Sequence, residues 1–126
     1  MYGDTIPVAG THSPLWQFCA YYTVEVPAER ALHAMEHGAV WITYENADLS
    51  AWEAVANAET HLLIAPTAGL GDRIAVSAWG AQLDAESPDD PRISAFIERF
   101  IRQGPENAPC TGGGVGQPPA DLGPPL

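Results

Sequence analysis

Lysine is absent from this 126-residue chain, whose five basic residues, all arginine, face sixteen aspartates and glutamates. That absence excludes Schiff-base catalysis through a side-chain amine. The formal charge of −11 repels nucleic-acid phosphates and anionic lipid surfaces, so no nucleic acid is expected as a partner. The same field concentrates cations, a general bias towards metals or cationic substrates. Long apolar runs are missing as well. No segment reaches the roughly 18 apolar residues of a membrane helix, so no membrane span is expected in this chain. Met1 to Pro7 lacks the basic-then-apolar order of a secretory leader, which reads as a soluble chain or as the mature part of an exported one. Cysteine is scarce. Cys19 and Cys110 form no C-x-x-C, which argues against a zinc ribbon or a thioredoxin-type site and leaves open one long-range disulfide or two separate thiols. A disulfide closing so long a loop would contribute about 4 kcal/mol in an oxidising compartment.

What is present suffices for a globular core, since 46% of residues are apolar and the length fits one domain. Residues 1–18, punctuated by Pro7, Gly10 and Pro14, read as an irregular lead-in. Ala20 to Val26 is aromatic and β-branched, the composition of a strand that stops at Pro27. Pro27 then opens a short helix, Ala28 to His37, ended by Gly38. Ala39 to Tyr44 is an almost continuous apolar run, the pattern of a buried strand. Leu49 to Ala58 reads as a helix in which Ser50 and Glu53 have capping-box spacing. Leu62 to Pro66 and Arg73 to Trp79 read as strands joined by a hairpin or sheet corner around Gly69 to Asp72. The clearest helix runs from Pro91 to Gln103, capped by Asp90, with Ile93, Phe96, Ile97, Phe100 and Ile101 at helical spacing and Gly104 closing it. The expected fold is α+β, a small, mainly antiparallel sheet of about four strands with two or three helices. Residues 1–104 form that single domain, and 105–126 a Pro/Gly-rich tail.

His33 and His37 are four apart, so a helix projects both imidazoles from one face, where they can share a metal. Glu36 completes an H-x-x-E-H pattern, which on a helix is the arrangement of inverzincin proteases. Gly38 stops the helix directly after the second histidine, and a cleaving zinc site needs a longer one, which weighs against a protease. Met35 moves the expectation towards copper, because a thioether is a poor ligand for Zn²⁺ and a good one for Cu(I). The plainer reading of Met35 is a core residue filling a gap. For the two histidines, structural hydrogen bonding competes evenly with ligation. His12, in the loop Gly10 to Pro14, is the natural third nitrogen donor, whereas His61, just before a strand, reads as a solvated or capping histidine.

The order of motifs also resembles a known family. Pro7-Val8-Ala9-Gly10-Thr11-His12, then Trp16-Gln17-Phe18-Cys19, then His33-Ala34-Met35-Glu36-His37-Gly38-Ala39-Val40, is similar to the domain-of-unknown-function 3105 family, common in actinobacteria. Ile64-Ala65-Pro66, Ser77-Ala78-Trp79-Gly80, Gly104-Pro105-Glu106 and Cys110-Thr111-Gly112-Gly113 continue the likeness along nearly the whole chain. The resemblance implies an extracytoplasmic origin, because members usually follow a signal or a membrane anchor. It places histidines of the two matching motifs at His12, His33 and His37. Where the family usually carries two prolines this chain has Ile6-Pro7, and it shows no anchor, which suggests a free-standing, repurposed enzyme. Cys19 and Cys110 fall on family cysteine positions, which supports a structural disulfide over the alternative that one thiolate joins the metal. Trp79 and Gly80 read as packing and close-approach residues, although an indole beside copper can shield it or pass electrons.

The resulting expectation is a mononuclear copper site of His12, His33 and His37, tuned by Met35, with zinc as the alternative metal. Glu36 is the expected catalytic residue, orienting a ligand histidine or handling protons. With an open coordination position the protein is a copper-dependent oxidoreductase, a tailoring enzyme acting on a small-molecule substrate. With a closed site it is a carrier or sensor exchanging copper with a donor or acceptor. The competing class is a metal-free extracytoplasmic structural or interaction domain.

Overall fold

Alternation along the apolar strands decides the layering. In a computed structural model, which describes residues 17–106 together with Ala108 and Cys110, strand β1 (Val40–Tyr44) turns Trp41 towards one core and Val40 and Ile42 towards another. Strand β2 (Leu62–Pro66) splits in the same way, with Leu63 and Ala65 on the first side and Leu62 and Ile64 on the second. A sheet buried on both faces needs continuous apolar runs, which is why these strands lack the polar-apolar alternation of a one-sided sheet.

The first core is covered by helix α1 (Ala28–Glu36) and by the stretch from Cys19 to Val26. The second is covered by helix α2 (Glu53–Ala58), entered through a short 3₁₀ turn at Ser50–Trp52, and by helix α3 (Pro91–Phe100). Between them lies β3 (Ile74–Ala78), whereas β4 (Ala81–Ala85) packs Leu83 and Ala85 on the second core and exposes Gln82 and Asp84. The sheet order is β2-β1-β3-β4, with β1 parallel to β2 and the other two pairs antiparallel. The α+β fold with a mostly antiparallel four-stranded sheet therefore stands. Among the described residues no helix is long and apolar enough to cross a membrane.

Several local expectations need correction. Ala20 to Val26 forms only one parallel bridge, Tyr21 with Ile64, because Tyr22 is taken into the core and its hydroxyl donates to the Phe18 carbonyl at 2.6 Å. The fourth strand is instead β4, reached from β3 by a tight turn through Trp79 and Gly80, with Gly80 at φ +80°. The Gly69–Asp72 connection is a sheet corner and not a hairpin, since β1 lies between β2 and β3. Its shape is held from β1's end, where Glu45 Oε1 accepts from the amides of Gly69 at 3.2 Å and Gly71 at 2.7 Å. The capping box at Ser50 does not form. The Asp48 carboxylate accepts from the Ser50 amide at 2.9 Å, and these bonds from Ser50 hold Asp48 below the ordinary aspartate range. Helix α3 starts as expected, with Asp90 accepting from the Arg92 amide and Pro91 in the first turn, but it ends at Phe100.

Candidate metal centre

Helix α1 is brief because its ends are set by residues that cannot continue it. Pro27 stands at its N-cap and Gly38 follows its C-cap, His37, with φ +108°. The last turn carries both histidines on one face, with the His33 and His37 rings 4.7 Å apart, edge to face. His37 is buried and His33 half-buried. This turn is also the negative end of the helix dipole, which favours a cation.

The chain returns to this turn after α3. Arg102 adopts a left-handed conformation, φ +58°, and its amide donates to the Gly38 carbonyl at 2.7 Å. Glu106 donates its amide to the Glu36 carbonyl at 2.9 Å. Two glycines make this approach possible. A Cβ on Gly104 would stand 2.6 Å from the Met35 carbonyl oxygen and closer still to that of Glu36, and one on Gly38 would stand 2.7 Å from Arg102 Cα. Those obstacles are backbone atoms, which no change of rotamer can move.

Further ties fix the segment beyond. The Arg102 guanidinium pairs with Glu59 at the end of α2. His61 Nε2 lies 2.9 Å from the Ala108 carbonyl, which can only accept, so His61 donates there while its Nδ1 accepts from the Thr60 hydroxyl at 2.8 Å. Cys110 is disulfide-bonded to Cys19, with Cα atoms 5.4 Å apart, and its carbonyl accepts from the Cys19 amide at 2.9 Å.

The consequence is local and chemical. Glu106 Oε1 comes 3.0 Å from His37 Nε2. One ligand atom each from His33, His37 and Glu106 falls within a sphere of mutual distances no larger than 4.8 Å. Ligands of one first-row metal sit roughly 3 Å apart, given bonds of about 2 Å. A closure of that size asks only for side-chain rotation, and Glu106, 54% exposed at its side chain, is free to make it. Two imidazoles and a carboxylate form a donor set of borderline hardness that suits divalent copper, zinc or iron. Among the described residues this is the grouping of three His, Cys, Asp or Glu side chains placed to hold an ion.

The structure thus brings together two of the residues singled out in the sequence, His33 and His37, and adds Glu106. His12 lies outside the described residues. Met35 is fully buried in the first core, and helix geometry turns it about 200° around the axis from each histidine. Glu36 is half-buried, and its backbone carbonyl receives the returning chain. Cys19 and Cys110 are joined, so neither thiolate is a donor in this form. His61 belongs to the tether at Ala108, and half-buried Trp79 packs against the first core. Glu106 was legible only as part of Gly104-Pro105-Glu106; nothing local in that tripeptide pairs it with a histidine 69 positions earlier. Elsewhere, burial and the neighbouring Tyr21 push the Tyr44 hydroxyl far up, so it stays protonated near neutrality.

No curated protein matches this chain, and no solved structure matches it. A family model described as "Protein of unknown function (DUF3105)" matches residues 1–112, which takes in both histidines of α1, the returning segment and both cysteines. The chain belongs to the DUF3105 family.

Proposed function

We propose that this protein binds a single copper ion through His33, His37 and Glu106. The observation that carries the reading is the convergence of two imidazoles from one helical turn with a carboxylate delivered by a chain segment that two glycines press onto that turn. Copper is favoured over zinc because, for a given set of nitrogen and oxygen donors, Cu²⁺ stands highest in the affinity order of the divalent first-row metals. His12 is the proposed fourth donor, and the buried Met35 supports the site by packing behind the helix. In this reading Glu36 positions the last turn through its backbone, and its carboxylate is available to orient a histidine or carry a proton.

The exposed side chain of Glu106 and the half-buried ring of His33 leave the site open to solvent, which suits exchange of copper with a donor or acceptor. The catalytic version, a copper-dependent oxidoreductase, needs a substrate cavity beside the ligands, where bound copper would supply one-electron chemistry. Carrier or sensor is the role that this openness to solvent supports better. A metal-free reading is favoured by the His37–Glu106 contact at 3.0 Å, which helps to fasten the returning chain without an ion.

Metal analysis of untagged protein after copper loading separates these readings. Near-stoichiometric copper is expected, abolished in the His33→Ala/His37→Ala variant and weakened about tenfold or more by Glu106→Gln. Protein that holds no copper after loading overturns the proposal. Tighter retention of zinc than of copper by the same residues assigns the site to zinc instead, and a His12→Ala variant that binds as tightly as the parent removes the fourth donor.

A further inference from the structure

We infer that the metal affinity of this site is governed by the redox state of the Cys19–Cys110 disulfide, which makes the protein a thiol-responsive metal binder. The inference rests on the proposed His33–His37–Glu106 site and concerns what regulates it.

The two kinds of ligand are held in different ways. His33 and His37 sit on α1, whose Ala31, Leu32, Ala34 and Met35 are buried in the first core. Glu106 sits on a segment with almost no apolar anchorage. Of its described residues from Arg102 to Cys110, only Cys110 is buried, and it is fully so. Its other ties include hydrogen bonds and ion pairs: Arg102 to Gly38 and to Glu59, Glu106 to Glu36 and to His37, His61 to Ala108, and the Cys19 amide to the Cys110 carbonyl. Each such contact contributes about 1 kcal/mol or less, and segments of this kind open locally long before the core does. The disulfide is the one covalent tie in the set, and it lies four residues from the ligand.

The disulfide is buried, with Cys19 3% exposed, but it borders a cleft. That cleft, of about 270 Å³ between Phe18–Ala20 and the end of α2, has Cys19 in its lining. A thiolate of a dithiol reductant entering there forms a bond to Cys19 Sγ as the Cys19–Cys110 bond breaks. The departing electron pair stays on Cys110 Sγ, which takes a proton. The second thiol of the reductant then attacks the mixed disulfide, leaving Cys19 as a thiol and the reductant as a cyclic disulfide. The protein gains two electrons and two protons, and the reductant loses them. Cys110 is then free to leave the core, Glu106 leaves with it, and the three-ligand site becomes a two-histidine site. Coupling of this kind is reciprocal, so bound metal protects the disulfide by the same factor by which the disulfide strengthens metal binding.

Two measurements test this with the whole chain. Cu²⁺ titrations compare the oxidised protein with a Cys19→Ser/Cys110→Ser variant, which lacks both the bond and any thiol able to act as a ligand. A weakening of about tenfold or more is expected, and Glu106→Gln added to that variant should cause no further loss. The second measurement needs no cysteine variant. The rate at which a water-soluble phosphine reduces the disulfide is followed with and without saturating Zn²⁺, a redox-inert probe. Zn²⁺ is expected to slow reduction about tenfold in the parent and to have no effect in Glu106→Gln. Equal Cu²⁺ affinity with and without the disulfide, or equal reduction rates with and without Zn²⁺, overturns the coupling while leaving the site intact. Failure of the oxidised parent to bind Cu²⁺ or Zn²⁺ at all overturns the site itself.

Discussion

Gly38 and Gly104 do the work of bringing two distant stretches of backbone into contact. At Gly38 the demand is double, since φ is +108° and a Cβ would meet Arg102 Cα at 2.7 Å. At Gly104 the demand is one of space, because the carbonyl oxygens of Met35 and Glu36 occupy the position a methyl would take. Gly104→Ala should therefore lift the returning segment off α1, with a loss of about 2 kcal/mol in stability. The expected signature is specific: faster hydrogen exchange of the Glu106 amide, now parted from the Glu36 carbonyl, while amides of β1 and β3 keep their protection. Copper affinity should fall with it, by roughly the factor seen for Glu106→Gln, since both changes remove the same donor. Unchanged exchange at Glu106 would mean the segment is held by its other ties alone. These residues also show why the site was only half legible. The spacing of His33 and His37 is a property of one helical turn and can be read locally. The pairing of Glu106 with His37 depends on two glycines 66 positions apart making room for each other, which no local pattern encodes.

Among the elements, β2 spans Leu62–Pro66 and α3 begins at Pro91 as their sequences predict, whereas the stretch from Ala20 to Val26 does not follow its composition, and the difference is physical. Helix α3 carries its own start signal, with the Asp90 side chain accepting from the Arg92 amide at 2.9 Å and Pro91 pre-set for the first turn. Ala20 to Val26 has strand composition, but its backbone finds a partner only at Ile64, and its residues serve the core as irregular chain. The end of α3 is not legible locally, because Arg102 leaves the helix to donate its amide to the Gly38 carbonyl, a tertiary contact. The Asp90 cap makes a prediction with a sign. Arg92, first through its side chain and then through its amide, holds the Asp90 carboxyl below the ordinary aspartate range. A depressed carboxyl contributes stability that is present above the unfolded value, about 3.9, and is lost as pH falls through the lower folded one. Asp90→Ala should lower Tm by a few degrees at pH 7, and the gap between variant and parent should narrow as pH falls below the ordinary aspartate range. A gap that stays constant through that fall would show that the carboxylate charge plays no part in the cap.

At the scale of the whole molecule, charge imbalance sets two opposing responses to salt. Sixteen acidic residues against five arginines repel one another in the folded state. Several of those arginines are already committed to local pairs, Arg73 with Asp84, Arg92 with Asp90 and Arg102 with Glu59, which neutralise only part of the excess. Added salt screens long-range repulsion first, since the Debye length shrinks from about 30 Å at 0.01 M to about 10 Å at 0.1 M, while contacts under 4 Å are screened less. Tm should therefore rise between 10 and roughly 300 mM sodium chloride and then level off. The same negative field attracts a divalent cation, so Cu²⁺ affinity should fall over the same range, even as the protein that binds it becomes more stable. A domain dominated by its ion pairs would lose Tm with salt, and a site governed only by its immediate ligands would keep its affinity. Thermal melts and copper titrations on one salt series decide both, and the opposite slopes are what distinguish an attracting field from a merely stabilising one.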